Sequence, residues 1–257
     1  DEPLITLNVA LADNLKNVAK GKVKEIFNDE SPYFWLFESE GKYSYGFSYT
    51  RKSPNCILTV SDDYSDAVVY VSKANAEKLV EFALSNAMML LYTFRTSGED
   101  TLMVHASVIK YNGRGYVFLG RSGTGKSTHS GLWLRHIEGT ELLNDDNPIL
   151  RVMDDGEVRV YGSPWSGKTP CYKNESAPVG GIVKLSQALE NRIETLRLPQ
   201  AYAYMLSSAS GLKIDSGMSD NLYESIKHII THIPFYHMEC LPNVEAAMVC
   251  YDGVKLS

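Results

Sequence analysis

The segment Gly120-Arg121-Ser122-Gly123-Thr124-Gly125-Lys126-Ser127 constrains this chain more than any other stretch of it. It fills every fixed position of G-x-x-x-x-G-K-[ST], a pattern that arises by chance in roughly one chain in a hundred of this length. The surroundings have the order the pattern requires. Tyr116-Val117-Phe118-Leu119 reads as an entering strand, and the residues from Lys126 to about Ile137 read as an exiting helix. Gly120, Gly123 and Gly125 free the backbone to turn its N–H groups inward around phosphate oxygens, and the start of the helix adds the positive end of its dipole. Lys126 has the reach for β- and γ-phosphates, and the Ser127 hydroxyl is a ligand for Mg²⁺. Arg121, inside the loop, either touches a terminal phosphate or points to solvent.

Such a cradle is a local device, because the chain as a whole does not attract anions. Its 257 residues carry 25 Lys and Arg against 31 Asp and Glu, a formal charge of −6. That balance argues against an electrostatic grip on nucleic acid or on an anionic membrane, both of which need clustered cations. The most apolar uncharged run, Phe82 to Phe94, spans thirteen residues, short of the ~20 a membrane helix needs. The opening DEPLITLN has neither the cationic nor the apolar segment of a signal peptide, so a cytoplasmic location is expected. Cys56, Cys171, Cys240 and Cys250 are too far apart for a CxxC redox or zinc pattern and read as reduced, mostly buried thiols.

Two regions follow from the patterning. In residues 1–98, the aromatic stretches Tyr33–Phe37 and Tyr43–Tyr49 flank the turn signal Ser39-Glu40-Gly41-Lys42, which predicts a hairpin; strands are expected at Cys56–Val60 and Ala67–Val71. The tyrosine stripe lacks the interleaved Lys and Arg of a base-stacking platform and reads as a half-buried sheet face. Helical spacing of Leu79, Ala83, Ala87 and Leu91 predicts one long amphipathic helix over roughly 73–94. From residue 99 to 257, short apolar runs alternate with helical segments. Strands are predicted at Leu102–Ile109, Gly115–Leu119, Glu141–Asn144, Val158–Tyr161 and Gly181–Leu185, then helix, strand and helix from Ser219 to Val249. The fold class is therefore α/β with a mixed sheet, preceded by a small β-rich region with one long helix.

A metal site needs a second acidic element, and Leu142-Leu143-Asn144-Asp145-Asp146 supplies one where a predicted strand ends. Adjacent aspartates point to different sides of a strand, so one can attend a metal while the other faces an acceptor. The same residues, running into Asn147-Pro148, are also good chemistry for a plain surface turn.

Taken together, His105-Ala106-Ser107, the loop 120–128 and Leu143-Asn144-Asp145-Asp146 resemble the catalytic domain of HPr kinase/phosphorylase. The loop is equally similar to the kinase loop of ATP-dependent phosphoenolpyruvate carboxykinase, and the two families share a phosphate-loop architecture. The resemblance covers Leu102 to about Leu185 and leaves out the first hundred residues. It implies nucleotide contacts from Gly120, Ser122, Gly123, Thr124, Gly125, Lys126, Ser127 and Thr128, Mg²⁺ held by Ser127 and Asp145, and Asp146 as the acceptor of a hydroxyl proton. His105 would orient the aspartate or the phosphate. The implied activity is ATP- and Mg²⁺-dependent transfer of a γ-phosphoryl group to a hydroxyl of a protein, peptide or small molecule. Outside the resemblance, the aromatic region 1–98 is the place where acceptor specificity is expected. Oligomeric state is left open, a homo-oligomer included.

The chain also departs from that pattern. The acidic ligand the kinases carry before a glycine is missing from Val158-Arg159-Val160-Tyr161-Gly162, and Glu157 is out of register. A polar loop, Gly162 to Thr169, looks instead like the carboxykinase equivalent, and its Lys168 is either a group that approaches the transferring phosphoryl or an ordinary surface lysine. Two alternatives compete with a kinase: a lyase of the carboxykinase type, and a non-catalytic nucleotide-binding module. His228 and His232 stand at i, i+4 on a predicted helix with His237 nearby, a weak metal pattern without a catalytic glutamate. His129 and His136 are expected at the surface.

Overall fold

A computed structural model describes residues 2–19, 21–27, 31–167, 169–211 and 216–255. The chain divides into two compact units, Asp1–Arg95 and Thr96–Ser257.

The first unit is a six-stranded mixed sheet with one long helix. Strands β1 (Thr6–Ala12), β2 (Lys22–Phe27), β3 (Tyr33–Ser39), β4 (Lys42–Ser48), β5 (Cys56–Val60) and β6 (Asp66–Ser72) lie in the order β1-β6-β5-β4-β3-β2. All neighbours are antiparallel except β1 and β6. The predicted hairpin is β3–β4, with Ser39 opposite Lys42. Its two turn residues, Glu40 and Gly41, have φ of 53° and 78°, the left-handed pair whose twist matches that of the strands. Helix α1 (Ala76–Arg95) buries Leu79, Phe82, Ala83, Asn86, Ala87, Leu91, Thr93 and Phe94. This is a helical stripe, rotated from the expected one so that Phe82 and Phe94 meet the sheet. The Phe82 ring lies 6.0 Å from Phe47, and Phe94 lies 5.4 Å from Tyr45. The opposite sheet face carries Trp35, Phe37 and Ile57, covered by Leu15, Val18 and Ala19 from the β1–β2 connection. The centre of the sheet is thus buried on both faces rather than one, because that connection, which has no strong pattern of its own, wraps across it.

The second unit holds nine strands in another mixed sheet. Strands β7 (Thr101–Met103), β8 (Ala106–Tyr111), β9 (Arg114–Leu119), β10 (Glu141–Asn144), β11 (Ile149–Val152), β12 (Val158–Tyr161) and β13 (Ser176–Gln187) run in the order β10-β8-β9-β13-β12-β11-β7, and β14 (Arg192–Thr195) joins through β15 (Phe235–Cys240). The expected strand Leu102–Ile109 is two strands, because the chain changes partner at Val104–His105: β7 pairs with β11, whereas β8 pairs with β9 and β10. The expected five-residue strand at Gly181–Leu185 is the middle of the twelve-residue β13, which pairs along its length with β12, β9 and β15 in turn. Helices α2 (Lys126–His136) and α5 (Val244–Lys255) pack on one face through Phe118, Trp133, Val183 and Ala247. Helices α3 (Leu198–Ser208) and α4 (Ser216–His232) pack on the other through Leu119, Ile182, Met205 and Ile226. Alternation along β9 divides Val117 and Leu119 from Phe118, which is how one strand serves both layers. Among the described residues, no helix is long and apolar enough to cross a membrane.

Candidate functional site

The glycine-rich loop occupies the connection from β9 to α2, the place its sequence demands. Gly123 and Gly125 hold φ of 77° and 106°, backbone that side chains with a Cβ resist. Thr124 N–H donates to the Arg121 carbonyl at 3.1 Å, and His129 N–H opens the helix on the Gly125 carbonyl at 2.8 Å. Gly125 is the N-cap and offers no side-chain acceptor to the first turn, so the N–H groups there face outward to water or a ligand.

Lys126 heads a line of contacts. It is only 8% exposed; its Nζ donates to the Gly120 carbonyl at 3.0 Å and to His105 Nε2 at 2.7 Å. An ammonium can only donate, so Nε2 is an acceptor and the ring proton resides on Nδ1. That nitrogen lies 3.1 Å from Asp146 Oδ1, which accepts. The third ammonium proton of Lys126 is left for another acceptor. Burial pushes the Lys126 ammonium below its ordinary range, the charges of Asp146 and Asp145 oppose that, and Lys184 adds to the lowering. His105 sits at the bend between β7 and β8, not within a strand as expected, and its N–H donates to the Ser208 carbonyl at 2.8 Å.

The turn after β10 presents the two aspartates in different directions. Asn144 Oδ1 accepts from the N–H groups of Asp146 and Asn147, at 2.9 and 3.0 Å, an Asx turn that fixes the backbone. Asn147 Nδ2 donates to Asp146 Oδ2 at 2.8 Å. Asp145, 4% exposed, turns inward; its Oδ1 accepts from Ser107 at 2.8 Å, leaving Ser107 to accept from Ser130 at 2.6 Å. Among the described residues Asp145 Oδ2 is buried with no hydrogen-bond partner, a costly state for a carboxylate oxygen. Mg²⁺ prefers oxygen donors and keeps several waters, so one or two carboxylates and a hydroxyl suffice. Ser127 is exposed at the start of α2, one turn before the buried Ser130. The orphaned Asp145 oxygen is a donor of the kind Mg²⁺ takes, and the Ser127 hydroxyl at the start of α2 is another.

The loop after β12 closes against these aspartates. Asn144 Nδ2 donates to Ser163 Oγ at 3.1 Å, and a Cβ placed on Gly167 would lie 3.3 Å from Asp146 Cβ. Lys168 lies outside the described residues.

Two hollows flank the glycine-rich loop. One, of about 600 Å³, is lined by Thr128, His129 and Leu132 of α2 and by Ala188, Leu241 and Pro242. The other, of about 360 Å³, is lined by Arg121, Ser122, Lys184 and Ser186.

The expectation for His129 is overturned: it is buried, with its ring 4.9 Å from Phe118, while His136 is exposed. Trp133 Nε1 donates to His129 Nε2 at 3.2 Å, and burial pushes the imidazole down to about 4. The reason is packing, since residue 129 faces the sheet one turn before Trp133. His228 and His232 stack at 4.0 Å, but His228 Nε2 meets the Gly156 carbonyl and His232 Nδ1 the His228 carbonyl. Among the described residues no group of three His, Cys, Asp or Glu is placed to hold a metal. All four cysteines are free thiols, and burial pushes Cys56 up to about 12.

Sequence reading assigned no role to Ser107, Ser130, Asn144 or Lys184. The asparagine had a signal, because Asn before Asp-Asp-Asn-Pro is an Asx-turn pattern. Lys184 had one too, as a lone charge in the apolar run Gly181-Ile182-Val183-Lys184-Leu185.

The fold and site together define a two-unit α/β protein whose second unit sets a glycine-rich strand-to-helix loop, with its buried lysine, near a pair of aspartates. No protein-family model and no curated protein matches the sequence. Among solved structures, the chain is similar to the HPr(Ser) kinase/phosphatase from Coxiella burnetii at 12% identity and a TM-score of 0.35, over 60% of this chain and 94% of that one. The likeness is too slight to transfer chemistry.

Proposed function

We propose that residues 99–257 form a Mg²⁺-dependent phosphotransferase that moves the γ-phosphoryl group of ATP, or of another nucleoside triphosphate, to a hydroxyl. The observation that carries this reading is the line Lys126–His105–Asp146, linked at 2.7 and 3.1 Å. It joins the buried ammonium of the glycine-rich loop, at which the charge of Asp145 is also felt, to a carboxylate. Phosphoryl transfer needs positioning, charge neutralisation and one base, and this set supplies each.

In this reading the loop N–H groups and the free proton of Lys126 hold the phosphates. The base and ribose fill the 600 Å³ hollow beside α2. Asp145 and Ser127 would hold Mg²⁺, which when bound would supply neutralisation of the phosphate charge. Asp146 takes the proton of the acceptor hydroxyl as its oxygen bonds to the γ-phosphorus, while the bond from that phosphorus to the β–γ bridging oxygen breaks and the nucleoside diphosphate leaves. His105, with both ring nitrogens engaged, is a positioning residue that keeps Asp146 in place and couples it to Lys126. Lys168, next to Gly167, is assigned to the transferring group. Residues 1–98 are assigned to acceptor selection, the acceptor being a protein, peptide or small molecule.

Calorimetric titration with Mg²⁺-ATP tests the binding half: Lys126→Ala should weaken affinity by about a hundredfold, as expected for loss of charge-assisted bonds to phosphate. Unchanged affinity in that variant would sink the reading. Transfer of labelled γ-phosphate to candidate hydroxyls, lost in Asp146→Asn with binding retained, tests the chemistry.

A further inference from the structure

The smaller hollow beside the loop has a composition that its surroundings do not explain. Lys184 lies in β13 directly between Leu119 of β9 and His237 of β15. It therefore shares the α3 side of the sheet with Leu119, at the point where β9 gives way to Gly120. Its stem is half-buried, its ammonium lies 5.5 Å over the Tyr204 ring of α3, and its hydrogen bond goes to the Leu185 carbonyl. Among the described residues neither Lys184 nor Arg121 has a carboxylate partner. The acidic group in that row of the sheet, Glu194, pairs instead with Arg192 at 3.5 Å and approaches His237 at 3.9 Å.

Two uncompensated cations thus line one hollow in a chain of net charge −6. They also feel each other. The Lys184 ammonium is pushed below its ordinary range first by burial and then by the Arg121 guanidinium, and its own charge is felt at Lys126. Holding like charges together in a partly desolvated place costs stability unless an anion joins them. The guanidinium fork of Arg121, the point charge of Lys184 and the exposed Ser122 hydroxyl are donors that suit a tetrahedral oxyanion.

We infer that Arg121 and Lys184 form a phosphate-binding subsite on the α3 side of the glycine-rich loop, separate from the Lys126–His105–Asp146 line. The phosphate has two sources: the nucleotide's own chain, or a phosphate group carried by the acceptor. The inference rests on the phosphotransferase reading for its place in a reaction, while the cation pair can be tested without it.

Inorganic phosphate and Mg²⁺-ATP are titrated separately into the full chain and into Lys184→Gln and Arg121→Gln, with phosphate titrated again at saturating Mg²⁺-ATP. Circular dichroism confirms that each variant folds, and the exposed Arg121 provides a substitution that packing does not restrict. The expected result is a loss of about tenfold in phosphate affinity for each variant. A parallel loss for Mg²⁺-ATP assigns the subsite to the nucleotide. Loss confined to phosphate, and seen again with Mg²⁺-ATP present, assigns it to the acceptor. If wild type fails to bind Mg²⁺-ATP yet binds phosphate through these two residues, the phosphotransferase reading falls and the subsite stands. Titrations unmoved by either substitution, or no phosphate binding in wild type and unchanged Mg²⁺-ATP binding in the variants, overturn it.

Discussion

The two units bury different kinds of chemistry. Among the described residues of Asp1–Arg95 the buried polar ones are Ser44, Ser48, Asn86 and Thr93, all uncharged. Asn86 and Thr93 donate to carbonyls one turn back in α1, at 2.7 and 2.8 Å. The rest of that interior is aromatic and aliphatic, so its stability comes from apolar area and ring packing. In Thr96–Ser257 the buried set includes Lys126, His129 and Asp145, and among the described residues the buried side-chain atoms without a hydrogen-bond partner in this unit are His129 Nδ1, Asp145 Oδ2, Ser219 Oγ and Tyr236 Oη. Groups of this kind lower stability where they stand. Lys126, His129 and Asp145 stand around the glycine-rich loop, and buried titratable groups clustered in this way mark a candidate site.

That contrast can be broken at its strongest point first. Asp146→Asn should reduce γ-phosphoryl transfer by about 10²–10⁴-fold, the range for loss of a positioned base, while the melting temperature moves little. A variant that melted early instead would mean Asp146 is structural. Next, Phe47→Ala removes a fully buried ring packed on Phe34 and Phe82. It should cost about 3–5 kcal/mol in urea unfolding of the first unit, with Mg²⁺-ATP affinity unchanged; a drop in affinity would contradict the division of labour.

His129 sharpens the comparison through pH. Its imidazole stands at about 4 against an ordinary 6.5, so the unfolded chain takes up a proton that the folded chain does not accept until well below that pH. Stability is full above pH 6.5 and declines toward pH 4, by up to about 1.4 kcal/mol per pH unit and roughly 3 kcal/mol in all. His129→Gln, with an amide that still accepts from Trp133 and cannot titrate, should flatten urea midpoints measured between pH 7 and 4.5. The smallest effect belongs to the β3–β4 turn. Glu40→Asn places a residue tolerant of φ 53° beside Gly41 and should raise stability by about 0.5–1 kcal/mol, read as a shift in the unfolding midpoint of the first unit.

Much of the fold was legible where local pattern and tertiary role agree. The Glu40-Gly41 turn, the strands at Cys56 and Val158 and the helix beginning at Lys126 all follow from rules acting over a few residues. Strands β1, β2, β11 and β14 and helix α3 were not anticipated. β1 and β14 are short and exposed along much of their length, and their partners are distant in sequence, so their identity depends on pairing. His129 was misread because the helix it sits on has weak amphipathicity, and nothing in Ser127-Thr128-His129-Ser130 says which face the sheet covers. Within the site, Lys126, Asp145 and Asp146 were readable from a motif and a strand end. Ser107, Ser130 and Lys184 were not assigned, because their roles depend on strands laid side by side.

What the sequence alone determined is the backbone of the cradle: glycines at φ 77° and 106°, a lysine at the helix start, and a pair of aspartates after a strand. These are local constraints, imposed by Ramachandran sterics and residue chemistry. Tertiary structure decided which charges meet. It set His105 2.7 Å from Lys126, although 21 residues separate them, and Ser107 2.8 Å from Asp145 across 38. It also brought Lys184 beside Arg121, through the parallel pairing of β9 with β13. Interactions of that kind depend on strand register and layer order, which arise only when the whole sheet closes over its core.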